Sequence, residues 1–416
     1  SRTMLRITLL LVVLCLLGTG CTVNEVVVAD ETELVVAQSP VEESRLLDIG
    51  IVEFEPGIDE ENNPRKSGVF EEIRFAETKY LAYHLKTTLQ GTGHWGAVRV
   101  IPSRQAFTDV IISGNIKQSD GEFVTLNISV DDAAGRHWFS KVYETQTGIT
   151  SYSERRDRRL DPYQKVFNDI ANDLQVFAAQ MQPKTLEQTR QISELKFFAD
   201  MSPLAYGEHL EFDEDGIISI RRLPAENDPT VGRLRQIRER DRLVVDTLNE
   251  HYANFYYGIA IPYRNWRKVS RQELIAYRQV KRSARMQTLV GVVVLAGSLA
   301  VDANNSSSSR QRRVNRSLQY MGISEGLNRI VGGIQRGSEA DSHIEAIAEL
   351  SQSFGGQAAP MVVSVEGQER RLTGTAEAQY EGWRRMLKEI YKAETGFSQT
   401  VDVGAPARAA EDAPAK

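Results

Sequence analysis

Cysteine is nearly absent from this chain. Its 416 residues include only Cys15 and Cys21, and both lie within the first 21 positions. Everything after Cys21 therefore has no thiol for a disulfide, for nucleophilic catalysis or for a metal site built on cysteine. Disulfide-stapled domains, thiol enzymes and cysteine-ligated metal proteins are excluded together.

Neither sign of charge is in large excess. Lysine and arginine total 50 and aspartate and glutamate total 56, so the net charge is −6 at pH 7. Hydrophobic residues make up 41% and charged residues 25% of the chain, which is typical of globular proteins. These proportions exclude wholesale disorder and a polytopic membrane protein, and they argue against a strongly basic nucleic-acid binder.

Catalytic and metal-binding motifs are also scarce. Six scattered histidines form neither an HExxH motif nor a close pair: His84, His94, His137, His209, His251 and His343. Glu211–Gly216 imitates the start of a calcium loop, but position twelve is Arg222 instead of glutamate. Gly322, Ser324 and Gly326 fit the G-x-S-x-G pattern of serine hydrolases, but no buried-strand pattern precedes them. We expect no enzyme, no metal and no cofactor, and keep a hydrolase using Ser324 as a minor hypothesis.

The apolar N-terminus has the anatomy of an export signal. Arg2 and Arg6 precede the run Ile7–Leu17, whose only polar member is Thr8, and the small residues 18–20 follow it. Such a segment is too short for a stable membrane span and is typical of a secretory signal. We expect residues 1–20 to be removed as a signal peptide, and Cys15 with them.

The end of this signal, Leu17-Gly18-Thr19-Gly20-Cys21, resembles the lipobox of bacterial lipoproteins, with Gly18 where leucine is commoner. The resemblance implies that Cys21 becomes the first mature residue and carries a covalent diacylglycerol and an acyl chain such as palmitate. Two acyl chains suffice for stable anchoring. By resemblance to enteric sorting, Thr22 in place of aspartate implies the outer membrane. The alternative is an ordinary secretory signal that ends near a cysteine.

Residues 46–182 are predicted to form a compact domain of class α+β. The acidic residues 21–45 before it are predicted to form a lipidated tether, with a short strand expected at either Glu25–Val28 or Leu34–Val36. Hydrophobic periodicity and turn residues then predict a strand, a helix, a strand, a three-stranded meander and a helix, which together make a small α/β sandwich. This order resembles the periplasmic domain of curli-secretion lipoproteins, of penicillin-binding-protein activator lipoproteins and of the Tol-system propeller protein.

The following residues, 183–285, are predicted to be mainly helical, with one β-hairpin at His209–Arg221. Their aromatic residues concentrate between Tyr252 and Trp266, and two interpretations remain open. The stretch is either the ordinary core of the helical region or a partner-binding platform. The platform would comprise Tyr252, Phe255, Tyr256, Tyr257 and Trp266.

The longest uncharged run, Met286–Val301, falls short of a membrane span. Its 16 residues would make a helix of about 24 Å, against a hydrocarbon core of about 30 Å. We predict that residues 286–336 form an apolar, glycine-rich helical hairpin that packs closely or mediates self-association. The alternative is a membrane-inserting element, against which the charges of Glu325, Arg329 and Arg336 argue. The small residues of the hairpin are Gly291, Ala296, Gly297, Gly322 and Gly326.

The chain ends with a predicted helix-hairpin-helix at residues 337–397 and a disordered Ala/Pro-rich tail at 398–416. Together these patterns predict a periplasmic lipoprotein of the outer membrane that binds or scaffolds within an envelope assembly. Its partners would be the outer membrane, reached through the lipid anchor, other envelope proteins and further copies of the chain in a homo-oligomer, with no nucleic acid. The alternative is an oligomeric secretion pore or channel ring resembling curli-secretion lipoproteins.

Overall fold

A computed structural model describes residues 31–58, 70–104, 107–156, 160–301, 349, 361–365 and 368–395. For residues 277–301 only the helical backbone is described. The predictions for the signal peptide, for the second arm of the apolar hairpin and for the C-terminal tail lie outside the described residues.

A five-stranded mixed sheet organises the N-terminal half. Its order is β2-β1-β3-β4-β5; β1 runs parallel to β2 and β3, and β3, β4 and β5 form an antiparallel meander. The strands are β1 (Ile49–Val52), β2 (Val98–Ile101), β3 (Val110–Ser119), β4 (Phe123–Asp132) and β5 (His137–Gln146). The predicted α+β class and the three-stranded meander are confirmed.

Six helices and two small hairpins complete the described part of the chain. The helices are α1 (Glu71–Thr92), α2 (Gln164–Gln180), α3 (Pro183–Met201), α4 (Pro203–Tyr206), α5 (Pro229–Val301) and α6 (Ala376–Thr395). The hairpins are β6 (Leu210–Phe212) with β7 (Ile218–Ile220), and β8 (Met361–Val365) with β9 (Gln368–Leu372). Both hairpins lie where turn residues between short apolar runs predict them.

One core forms where α1 and α2 pack on the sheet. Along β4, alternate side chains are fully buried in this core, as the period of two predicts. α2 contributes the apolar face of its amphipathic helix, including Phe167 and Leu174. The buried β4 residues are Val124, Leu126, Ile128 and Val130.

A second core joins α3, α5, α6 and the two hairpins. Leu234 and Leu248 of α5 are fully buried in it, together with Leu387 of α6. Farther along the same helix, Ile259 and Tyr263 are buried in the first core. Because α5 contributes to both cores, it ties the N-terminal sheet to the C-terminal helix.

α5 is a single helix of 73 residues that continues through Pro262 to Val301. At 1.5 Å per residue it extends for roughly 110 Å. The sequence predicted a separate helix for Met286–Val301, whereas the backbone makes that run the last part of α5. Among the residues whose side chains the structure describes, no helix is both long and apolar enough to cross a membrane.

The second half of the predicted tether lies against the body. Its backbone bonds to side-chain amides of α2: Val35 N–H donates to Asn172 Oδ1 over 2.9 Å, and Asn168 Nδ2 donates to the Thr32 carbonyl over 2.7 Å. Ala37 N–H donates to the carbonyl of Thr92 at the end of α1, over 2.8 Å. Residues 34–36 are thus held by side chains and do not pair as a strand.

Candidate functional site

Several predicted site residues cannot be assigned contacts. Cys21, Gly322 and Gly326 lie outside the described residues, as does Ser324. Gly291, Ala296 and Gly297 lie on the helical backbone of α5, beyond the side chains that the structure describes. Lipidation of the cysteine and self-association through the small residues stay predictions.

The aromatic stretch of α5 packs mostly inward. Tyr252, Phe255 and Trp266 are buried, with 1%, 6% and 2% of their surface exposed. Tyr256 is half-buried and stacks on a ring of α1, while Tyr257 is 67% exposed. Of the five aromatic residues predicted as a binding platform, Tyr257 is therefore the one that presents its ring to solvent.

A buried ion pair lies next to this stretch. The Arg267 guanidinium of α5 donates to both carboxylate oxygens of Asp161, each over 2.8 Å, and the two side chains are 1% and 4% exposed. The guanidinium also lies 4.1 Å from the ring centre of Tyr263 and 4.7 Å from that of Tyr163. Burial alone would raise the pKa of Asp161, but the neighbouring Arg267 holds that pKa below its usual range.

The chain position of Asp161 explains why this ion pair has a structural role. Asp161 stands just before α2, where its carboxylate also accepts the backbone N–H of Tyr163 and the hydroxyl of Tyr80. The pair thus connects the start of α2 to α5 and α1. At 1% exposure the guanidinium cannot meet a solute, so the pair fixes helices in place and does not bind a ligand.

An open cleft of about 730 Å³ lies where the sheet, α3 and α6 meet. Its walls come from the loop between β2 and β3, from the turn after β4, and from the two helices. The polar and charged residues that line it are Ser103, Arg104, Thr108, Asp132, Ser193, Lys196, Asp200, Tyr380, Glu381, Arg384, Arg385 and Lys388. Phe107, Ile111 and Ala133 supply its apolar surface.

Cationic groups outnumber carboxylates in this cleft, five to three. Asp200 accepts hydrogen bonds from both Arg384 and Lys388. Asp132 is hydrogen-bonded by Arg136 over 2.8 Å and by an indole N–H, so its bonds go to groups that do not line the cleft. Glu381 is exposed. The cleft is therefore locally basic in a chain that is acidic overall.

Two of the cations are the least compensated. Lys196 donates from Nζ to the Ala133 carbonyl over 3.2 Å and forms no ion pair with a described residue. Burial lowers the pKa of Lys196, an effect that the charge of Asp132 partly offsets. Arg385 is exposed and has neither a hydrogen bond nor an ion pair within the described part of the chain. Both can therefore donate to a ligand.

The neighbouring Arg384 is held firmly. Its guanidinium carbon lies 4.8 Å from the ring centre of Phe107 and 5.1 Å from that of Phe197, so it packs beside a pair of aromatic rings that contact each other edge to face. Asp200 fixes the outer edge of the guanidinium, and 13% of the side chain is exposed. This clamp sets the position of α6, and hence of Arg385 and Lys388, relative to α3.

Sequence reasoning did not find this cleft. Its cations come from the β2–β3 loop, from α3 and from α6, which are far apart along the chain. The only signal in the sequence is the spacing of Arg384, Arg385 and Lys388, which places basic side chains near one another on one helix. Alone, that spacing is typical of any solvated helix.

Comparison with known proteins does not assign the chain to a family. No protein-family model matches the chain, and no curated protein matches it. One solved structure that it resembles is a point variant of the PelC dodecamer from Paraburkholderia phytofirmans. That match is 15% identical, covers 38% of this chain and 97% of that chain, and has a TM-score of 0.18.

Proposed function

We propose that the chain is a lipid-anchored, non-enzymatic protein of the outer membrane that faces the periplasm and serves as a binding or scaffolding component of a cell-envelope assembly. The observation that carries the binding role is the cleft of about 730 Å³ between the sheet, α3 and α6. Its volume falls within the range of about 300–1,000 Å³ typical of ligand sites, which often lie where separate parts of a chain meet.

The proposed anchor is Cys21, which ends the apolar N-terminal segment. Two acyl chains would hold the body at the membrane surface. Confinement to a surface raises the effective concentration of the body for other proteins held there, without any new contact between them. Anchoring and binding would thus act together: the lipid would hold the protein at the membrane, and the cleft would select the ligand.

Membrane fractionation tests the anchor. Full-length chain produced in a Gram-negative host should sediment with the outer membrane, and Cys21→Ser should appear in the soluble periplasmic fraction or retain its uncleaved signal. Cys15→Ser is the matched control, because its cysteine lies inside the apolar segment and should not be needed for acylation. It should fractionate like the parent chain.

A urea wash extends the test. Release of a processed Cys21→Ser chain by high salt or urea would support anchoring through the lipid alone. If that chain stays in the membrane after the wash, another element inserts, and the scaffold proposal in this form is contradicted.

A second candidate is an oligomeric secretion pore or channel ring. It is favoured by one observation, that the uncharged run Met286–Val301 continues a helix anchored in both cores. Several copies could bring such runs together. The mass and symmetry of the detergent-solubilised particle discriminate between the two candidates, since a closed ring supports the pore and a monomer contradicts it.

A further inference from the structure

The cleft between the sheet, α3 and α6 can be assigned a class of ligand. Its volume of about 730 Å³ holds a small organic molecule. It combines apolar surface from Phe107 and Ile111 with charged groups from three elements. That mixture is typical of sites that bury the body of a ligand and orient its charged end.

The charges of the cleft specify the sign of the ligand. Arg104 pairs with Asp131 and Arg384 with Asp241, two carboxylates that do not line the cleft. The lining cations that form no ion pair with a described residue are Lys196 and Arg385. Two uncompensated positive charges are matched by a ligand with two negative charges. A phosphate monoester carries about that charge at neutral pH.

The donors also suit a phosphate group. Arg385 offers a planar guanidinium, which bonds two phosphate oxygens side by side, and Lys196 offers a compact ammonium. Neither forms an ion pair with a described residue. Lys196 is already partly withdrawn from water, and burial lowers its pKa, so an anion beside it would favour its charged form.

The remaining cations are held in position before any ligand arrives. Arg384 packs against the contacting rings of Phe107 and Phe197, and Asp200 accepts hydrogen bonds from Arg384 and Lys388. The cleft therefore needs little ordering on binding, which favours affinity for a small ligand.

We propose that this cleft binds a small phosphate monoester. Lys196 and Arg385 hold its phosphate, and the positive charges of Arg384 and Lys388 add to the electrostatic attraction. The inference rests on the proposed function, because it names the ligand class of that binding protein. The phosphate could belong to a soluble ester or to the headgroup of a membrane lipid, and both present the same chemistry.

Calorimetric titration of the purified full-length chain in detergent tests the proposal. The probes are glycerol 3-phosphate, dihexanoyl phosphatidic acid and, as an uncharged control, glycerol. Binding of glycerol 3-phosphate supports the site with a soluble source, and binding of the lipid alone supports it with a headgroup source. If neither phosphate probe binds, or if glycerol binds as well as they do, the proposal is overturned.

Two variants locate the binding. Arg385→Ala removes an exposed side chain, and Lys196→Gln removes the charge of the lysine that donates to the Ala133 carbonyl while retaining an N–H donor. Each should weaken binding roughly tenfold or more, the usual effect of losing a charge-assisted hydrogen bond. Lys392→Ala is the matched control, since it removes an exposed cation of the same helix that does not line the cleft. Unchanged affinity in the Arg385 variant would overturn the proposal.

The titration tests the ligand class and the fractionation of the Cys21 variant tests the anchor, so a negative result in one does not decide the other. The titration does not depend on where the chain resides in the cell, and the fractionation does not depend on the cleft. An anchored chain that binds no phosphate probe would leave the proposed function standing without this ligand class.

Discussion

The ion pair between Arg267 and Asp161 leads to a prediction about stability. Asp161→Asn leaves the Arg267 guanidinium buried without its counter-charge, so the free energy of unfolding should fall by about 3–5 kcal/mol at pH 7. Urea denaturation measures the change. Glu389→Gln is the control: it breaks the exposed pair with Arg370, in which the two side chains are 65% and 48% exposed, and should cost less than about 1 kcal/mol.

The pH dependence of this effect follows from the direction of the pKa shift. The pKa of Asp161 is lower in the folded chain than in the unfolded chain, where it is about 3.9. Its contribution is therefore fully present above that value and declines as the pH falls below it. The difference between parent and Asp161→Asn should shrink below about pH 4, and a constant difference would contradict the assignment.

A buried histidine gives a second residue-scale prediction. His84 lies between the Tyr256 hydroxyl, 2.7 Å from Nδ1, and Gln164 Oε1, 2.8 Å from Nε2. The Gln164 amide is oriented by its donation to Thr88 and Asn168, so its oxygen faces the ring. Nε2 therefore carries a proton, because that nitrogen must donate to Gln164, and in the neutral ring Nδ1 accepts the Tyr256 hydroxyl.

Burial lowers the pKa of His84 below its unfolded value of about 6.5. Its contribution to stability is thus fully present above about pH 6.5 and declines as the pH falls, by up to about 1.4 kcal/mol per unit, because the unfolded ring binds a proton first. Urea denaturation between pH 7 and 5 should show this slope in the parent chain and a weaker slope in His84→Gln. Equal slopes in the two chains would rule out His84 as the cause.

At the scale of single residues, some of these features could be predicted from the sequence and others could not. Hydrophobic periodicity predicted the helices and strands of residues 46–182, and the concentration of aromatic residues between Tyr252 and Trp266 was visible in the sequence. The partner of Asp161 was not, because Arg267 lies 106 positions away and nothing local marks it as buried. Long-range ion pairs require the packing of helices to be known first.

At the scale of elements, the β3–β4 turn is constrained both by its own backbone conformation and by its contact with α5. Gly121 has φ +87, and a Cβ on it would come within 2.1 Å of the Arg267 carbonyl oxygen on α5. Gly121→Ala should therefore lower the free energy of unfolding by more than about 2 kcal/mol, because both the backbone conformation and the helix contact oppose it. Thermal or urea unfolding measures the loss.

Gly258→Ala is its control. Gly258 lies inside α5 with no atom within 4 Å of a Cβ placed on it, so alanine should raise stability by about 0.5–1 kcal/mol through helix propensity. If both substitutions have effects of the same sign and size, the contact between the turn and α5 is not what constrains Gly121.

Strands and short helices were predictable, and the long helix was not. Alternation along β4 and glycine at its turns give the meander directly. By contrast, α5 passes through Pro262, which lacks the N–H for a helical hydrogen bond and ordinarily breaks or kinks a helix. Here the flanking Ile259, Tyr263 and Trp266 are buried against the first core, and this packing outweighs the local penalty.

For the whole molecule, the passage of α5 through both cores predicts cooperative unfolding. Leu248→Ala creates a cavity in the second core and should lower the free energy of unfolding by about 2–5 kcal/mol. Amide hydrogen exchange should show the same loss in β4, which belongs to the first core, as in α6. If the β4 amides keep their protection while those of α6 lose it, the two cores open independently.

The cleft is a property of the whole molecule, which explains why sequence reasoning missed it. Arg104, Lys196 and Arg385 become neighbours only after α3 and α6 have packed beside the sheet. By contrast, the predicted export signal depends on one contiguous segment, so the sequence alone is enough to predict it. Features that are assembled from distant segments require the fold.

The docking of residues 31–43 on the body changes how far an anchored chain could reach. A free tether from Cys21 to Leu46 would span up to about 85 Å when fully extended. Because Glu31 and Thr32 are bound to the body through Arg156 and Asn168, the ten residues from Cys21 to Asp30 set the longest distance between the proposed anchor and the body, about 35 Å. If Cys21 is the anchor, the partners and ligands of the body would have to lie close to the membrane surface.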